Sequence, residues 1–192
     1  MKRFAMITVA ALGALLATAP GALAGDVNCT AIMGGPINGN VVVPDGKSCT
    51  LAGATVTGNV KVGQGSTLVV ESTTISGNIQ ADHCRVVMLE HALVGGNFQI
   101  QHCTSDSGYL DAHIGGDFQC HDNTAACVAN GEGTAAVGGN VQVNNNVSSP
   151  GDPSQIFANS IAKNLQCQGN SPAPVGGGNT VAGNKEGQCA KF

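Results

Sequence analysis

Short runs in which apolar and polar residues alternate recur along the chain, each preceded by an aliphatic residue, two mostly small residues and an Asn or Asp. Alternation with a period of two is typical of strands that bury one side. We number each repeat from its anchoring residue, position 0, which is Asn40, Asn59, Asn78, Asn97, Asp117, Asn140, Asn164 and Asn184. The spacing of 19 to 24 residues, without a helical stretch, indicates a solenoid of stacked β-coils.

Three parts of each repeat are apolar and are expected to point inward. They are positions +1 and +3, positions +9 and +11 in the early repeats, and position −3, as in Val60, Val62, Leu68, Val70 and Val56. Position +2 must face outward, and it holds a nearly continuous row of amides: Gln80, Gln99, Gln119, Gln142 and Gln166, followed by Glu186. Three inward-facing apolar parts in each repeat predict a three-sided coil. Because parallel crossovers are overwhelmingly right-handed, we predict an all-β, right-handed parallel β-helix of about eight coils.

A Gly precedes the anchoring residue in seven of the eight repeats, as in Gly58-Asn59. Gly and Asn tolerate positive φ best, so this pair predicts a tight corner with left-handed backbone. One Asn per coil also predicts a ladder of side chains that bond to the backbone of the neighbouring coil.

The N-terminus has the pattern of a secretory signal. Lys2 and Arg3 are followed by an apolar stretch and by Ala22-Leu23-Ala24, so we expect residues 1–24 to be removed and residues 25–192 to form one exported domain. An uncleaved membrane anchor is the alternative. No later apolar run is long enough to span a bilayer.

The eight cysteines are expected to form disulfides in an oxidising compartment. Cys84 and Cys103 both lie at +6, one coil apart, where stacking brings Cα atoms within bonding range. Cys29 and Cys49 are 20 residues apart, which places Cys29 at +9 of a partial first coil. Val143 separates the two cysteines at +3, so the remaining pairs are Cys120 with Cys127 and Cys167 with Cys189.

Removal of Lys2 and Arg3 leaves six basic and twelve acidic residues, a net charge of −6. Nucleic-acid binders need a basic surface and stacking aromatic residues, whereas this chain has one Tyr and no Trp. We therefore expect no nucleic-acid partner.

His83, His102 and His121 recur at intervals of 19, which predicts that at least two imidazoles lie a few ångströms apart on one edge, near Asp82, Asp106 or Asp122. Such a row suits a transition metal, but a polar turn ladder is the simpler explanation. Second-coordination-shell partners are not evident in the sequence. We therefore expect these histidines to belong to a binding surface and expect neither a metal nor a cofactor.

Acidic residues cluster at Asp106, Asp111, Asp117 and Asp122. Glycosidases use two carboxylates about 5 to 9.5 Å apart, so this cluster raises the alternative of a polysaccharide-cleaving enzyme. However, Asp117 occupies the ladder position, and Arg85 is the one arginine after residue 24. We assign no catalytic residue, and we count Asp106, Asp111 and Asp122 with the histidines as candidate binding residues.

The chain has Gly-Asn-Val/Phe-Gln coils and ends with the segments 165–174 and 177–189. In these features it resembles a largely uncharacterised group of secreted bacterial β-helix repeat proteins. More loosely, the repeat is similar to pectin-lyase-like β-helices and to bactofilins, although bactofilins are cytoplasmic. None of these resemblances carries a catalytic motif onto the chain. The sequence thus predicts a secreted, non-enzymatic binding or structural module for an extracellular polysaccharide or a cell-surface component. End-to-end self-assembly through the terminal strands is a third hypothesis.

Overall fold

The computed structural model describes residues 25–192 and shows parallel strands in about eight stacked coils, as expected. The expected signal sequence lies outside the described residues. Within the described part there is no α-helix, and hence no helix that is long and apolar enough to cross a membrane. The handedness of the coil stays a prediction.

The 23 strands form three faces, and we number them in chain order. Face 1 is a nine-stranded sheet that begins with the row of anchoring residues. Its strands are β1 Asp26–Asn28, β3 Asn40–Val43, β5 Val60–Val62, β8 Ile79–Asp82, β11 Phe98–Gln101, β14 Phe118–His121, β17 Val141–Asn144, β20 Leu165–Gln168 and β23 Lys185–Gly187.

Faces 2 and 3 belong to one 14-stranded sheet because a long strand, β4 Ser48–Val56, runs through both, and β2 Ile32–Ile37 pairs with it. Face 2 continues with β6 Thr67–Glu71, β9 Val86–Glu90, β12 Ser107–Leu110, β15 Cys127–Asn130, β18 Gln155–Phe157 and β21 Val175–Gly177. Face 3 continues with β7 Thr74–Ile75, β10 Leu93–Val94, β13 His113–Ile114, β16 Ala136–Val137, β19 Ser160–Ile161 and β22 Thr180–Val181. We call the corners between faces 1 and 2, 2 and 3, and 3 and 1 corner 1, corner 2 and corner 3.

The core fills the interior of this prism, and the predicted inward positions form it. Val60, Val62, Leu68, Val70 and Val56 are all buried, as are their equivalents in most other coils. The widest side chains meet in the middle coils, where the ring of Phe118 lies 5.3 Å from that of Phe98 and 5.0 Å from that of Tyr109. The hydroxyl of Tyr109 donates to Asn159 at 2.9 Å, and burial raises the pKa of this tyrosine. Tyr109 is therefore a core residue rather than a ligand-binding one.

The predicted Asn ladder is present at corner 3. Each anchoring side chain accepts a hydrogen bond from the backbone N–H of the next anchoring residue, for example Asn78 to Asn59 and Asn97 to Asn78, both at 2.8 Å. The expected left-handed backbone is absent from most of this corner, where only Gly39 has positive φ. Glycine makes room for the neighbouring amide there in most coils: a Cβ on Gly77 would lie 2.5 Å from the Oδ1 atom of Asn59.

Left-handed backbone occurs instead at corners 1 and 2. At corner 1 it falls on position +6 in the first two repeats and on position +5 in the next five, including His83 and His102. At corner 2 it falls on residues such as Ser72 and His91. At corners 1 and 2 the chain therefore turns through residues with positive φ. At corner 3 it turns where glycines lie in close contact with the amides of a neighbouring coil.

All four predicted cysteine pairs lie at disulfide distance, which is typical of an oxidising extracellular compartment. The predicted register of Cys29 is wrong. Asp26 pairs with Asn40, so Cys29 lies at +3 and joins Cys49 at +9 with the Cα atoms 5.4 Å apart. The reason is a shortened first coil, since Asp26 and Asn40 are separated by 14 positions in the sequence.

Candidate functional site

The outer surface of face 1 carries the predicted row of amides. Their side chains are hydrogen-bonded head to tail from coil to coil, with each Nε2 donating to the oxygen of the next residue. The bond between Gln80 and Gln99 is 3.2 Å long, those from Gln119 to Gln142 and from Gln142 to Gln166 are 2.8 Å, and the last, to Glu186, is 2.9 Å. Face 1 thus presents a continuous line of oriented amides.

Two adjoining shallow grooves lie over the first half of this face, with volumes of about 240 and 290 Å³. Lys61 and Gln80 line both grooves, Asn59 lines the one toward corner 3, and Asp82 lines the one toward corner 1. Amides, one ammonium and two carboxylates, Asp26 and Asp82, therefore share this concave surface. Sequence reasoning found the Gln row but did not predict the grooves, because their depth depends on how neighbouring coils stack.

The structure brings two of the three candidate histidines together at corner 1. His83 and His102 share position +5, and their rings stack with centroids 4.6 Å apart. The Oδ1 atom of Asp82 lies 2.8 Å from the Nδ1 atom of each ring. The hydrogen bond from His102 is the largest cause that lowers the pKa of Asp82. This carboxylate therefore stays charged between the two imidazoles.

The expectation of at least two neighbouring imidazoles is confirmed, whereas His121 lies one position away from this row. Position 0 moves by 20 residues between Asn97 and Asp117, so His121 pairs with Gln101 at +4, and Asp122 follows His102 at +5. The extra residue lies between Cys103 and Ser107. His121 bonds instead to Asp122, with Nδ1 2.9 Å from Oδ2, and this bond is the largest cause that lowers the pKa of Asp122.

Three of the acidic residues that suggested an enzyme, Asp106, Asp111 and Asp117, lie at three different corners. Asp106 and Asp111 flank the four residues of β12, which separates their backbones by about 16 Å in an extended chain. Asp111 lies at corner 2, where it accepts a hydrogen bond from Thr134 and its Oδ2 lies 3.9 Å from His91. Asp117 accepts bonds from Asn140 in the corner 3 ladder, as expected.

Asp106 has a different acidic neighbour, which sequence reasoning missed. The negative charge of Asp106 raises the pKa of Asp152, which lies in the loop that precedes β18. Asp106 also accepts a hydrogen bond from the backbone of Ala126 at 3.0 Å. The pair joins two inserted loops, and an insertion carries no register from which such a contact can be predicted.

A scan of known protein families, a search of curated proteins and a search of solved structures all find no match to this chain. The resemblance to secreted bacterial β-helix repeat proteins stays a prediction.

Proposed function

We propose that the chain is an exported, non-enzymatic module that binds a hydroxyl-rich polymer, an extracellular polysaccharide or a cell-surface glycan, along face 1. The amide row is the observation that carries the proposal. A carboxamide offers two N–H donors and an oxygen with two lone pairs. Gln119 and Gln142 each use one donor and one lone pair in the row and keep the others for a ligand.

Polymer hydroxyls both donate and accept hydrogen bonds. Amides that each keep one N–H donor and one lone pair free are therefore chemically complementary to them. The row also repeats from coil to coil, and a repeating surface suits a repeating ligand. Side chains in the row already hold one another in place, which reduces the entropy lost when a ligand binds. The grooves around Lys61 and Gln80 supply the concave surface on which such a chain lies.

The test measures retention of purified residues 25–192 on a panel of acidic and neutral polysaccharides and on a glycan array. We expect at least one polymer to be retained and Gln142→Ala to weaken that retention several-fold. Gln155→Ala is the matched control, because it removes a half-buried amide from face 2. Equal loss in both variants, or retention of no polymer at all, would contradict the proposal.

The alternative is a polysaccharide-cleaving enzyme, and the Asp106–Asp152 pair is the observation in its favour. The charge of Asp106 raises the pKa of Asp152, and a carboxyl group with a raised pKa is the kind of group that general acid catalysis uses. The same polysaccharide panel is therefore assayed for new reducing ends and for unsaturated products. Turnover that is abolished by Asp152→Asn and kept by Asp111→Asn would replace the binding proposal with this one.

A further inference from the structure

Three potential metal ligands converge on the outside of corner 1. The Oδ1 atom of Asp82 and one ring nitrogen each from His83 and His102 all lie within 4.8 Å of one another. The three side chains are about half exposed, at 53, 56 and 45% of their full accessible area, so an ion reaches them directly from solvent. This cluster lies at the edge of face 1, where Asp82 also lines the groove toward corner 1, while the two histidines lie outside both grooves.

The spacing of the ligand atoms suits a transition metal. Metal–nitrogen and metal–oxygen bonds of about 2.1 Å place neighbouring ligands in an octahedral or square-planar shell about 3 Å apart. The observed separation between Oδ1 and each Nδ1 is 2.8 Å. An ion bound here replaces the Nδ1 protons that now face the carboxylate, and each ring then carries its proton on Nε2.

The backbone holds the two histidines in place before any ion arrives. His83 and His102 directly precede Cys84 and Cys103, and this disulfide fixes the adjacent Cα atoms 4.5 Å apart. The backbone N–H of His83 also donates to Gln101 at 3.0 Å, and its carbonyl accepts from Gly65 at 2.8 Å. Ligands held in this way lose little conformational freedom on binding, which favours affinity.

We propose that Asp82, His83 and His102 form a binding site for one divalent transition-metal ion, with Cu²⁺ bound more tightly than Zn²⁺. Two imidazoles and one carboxylate are ligands that suit both ions, and affinity at such sites increases from Ni²⁺ to Cu²⁺ and falls again at Zn²⁺. Three protein ligands leave the remaining coordination positions to water. The site does not depend on polymer binding, so either proposal can fail without the other.

The test titrates Cu²⁺ and Zn²⁺ into untagged, metal-free protein of residues 25–192 by isothermal titration calorimetry. Electron paramagnetic resonance of the Cu²⁺ form then reports the coordinating nitrogens. We expect one equivalent of Cu²⁺ to bind with coupling to two imidazole nitrogens. The double variant His83→Asn, His102→Asn should lose at least about tenfold in affinity. Asn is chosen because it tolerates the left-handed backbone of both positions.

His91→Asn is the matched control. His91 has the same left-handed backbone, is exposed and lies near a carboxylate, Asp111, at 3.9 Å. This variant should bind Cu²⁺ as the unmodified protein does, and all variants should show unchanged far-ultraviolet circular dichroism. Equal Cu²⁺ affinity in the double variant, loss of affinity in His91→Asn, or a spectrum without imidazole coupling would each overturn the proposal.

Discussion

Besides the Gln row on face 1, two ladders of side chains run along corners of this solenoid, one exposed and one buried. The outer ladder at corner 3 is formed by the anchoring Asn and Asp residues, most of which face solvent or are half buried. The inner ladder lies at corner 1, where Asn123 bonds to Asn146, Asn146 to Asn170 and Asn170 to Gln188 at 2.8 to 3.0 Å. In both ladders one side-chain oxygen accepts from the backbone N–H of a neighbouring coil.

Because the two ladders differ in burial, deleting a side chain from each should lower the free energy of unfolding by a different amount. When an exposed amide is deleted, water bonds to the groups left behind, so the loss is close to the net value of a hydrogen bond. When a buried amide is deleted, its partners stay unpaired and retain their full desolvation penalty. The inner ladder should therefore be the more sensitive one, although the bonds of the two have similar lengths.

The largest expected effect is that of Asn146→Ala. The side chain of Asn146 accepts from Asn123 and donates to Asn170 and to the carbonyl of Cys120, and the residue is almost fully buried. Its loss leaves several buried groups unpaired and should lower the free energy of unfolding by about 3 kcal/mol or more. Guanidinium denaturation followed by circular dichroism measures this change. A loss below about 1 kcal/mol would remove the distinction between the ladders.

A smaller effect is expected from Gly77→Ala, which disturbs the outer ladder by steric contact. The added Cβ would lie 2.5 Å from the Oδ1 atom of Asn59, so the amide must move from its place in the ladder. We expect a loss of about 2 kcal/mol in the same denaturation experiment. Gly177→Ala is the control, because a Cβ there meets nothing within 4 Å. Equal stability of the two variants would show that corner 3 does not need glycine for space.

Deletion of one outer amide should cost less than either change. Asn78→Ala removes an acceptor for the backbone N–H of Asn97 and a donor to Asn59, both replaceable by water. The expected loss is about 1 kcal/mol, to be measured as above. A loss as large as that of Asn146→Ala would mean that exposure does not weaken the ladder.

The smallest effect concerns pH, to which neutral amide ladders are insensitive. The folded-state pKa of Asp82 is lowered, first by the hydrogen bond from His102, so its ionisation stabilises the fold above the unfolded pKa of about 4. This stabilisation is lost as the pH falls through the folded pKa. Because Asp82 and His102 are exposed, Asp82→Asn should lower the free energy of unfolding by only about 0.3 kcal/mol at pH 6, measured in the presence of a metal chelator. The difference from the unmodified protein should vanish near pH 2, and a difference that grows toward acid would contradict this assignment.

The outer ladder could be predicted because it keeps Asn, or once Asp, at one position through eight repeats. The inner ladder was missed because its position, +6, changes type: Gly46 and Gly65 come first, then Cys84 and Cys103, and then Asn. The three asparagines share that register, which is the signal that could have revealed them. His121 was misplaced because counting from the preceding histidine ignored the one residue inserted after Cys103. Where insertions interrupt the repeat, distance along the chain no longer gives position on the coil.

The four disulfides also determine how the molecule bears tension. Force applied to the two ends passes through the cystines and bypasses the enclosed segments 30–48, 85–102, 121–126 and 168–188. The segments between the disulfide-enclosed loops can unwind under force. The enclosed segments cannot extend until a thiol reductant breaks the disulfides. A molecule anchored at both termini would therefore extend in two stages, with the second stage released by reduction.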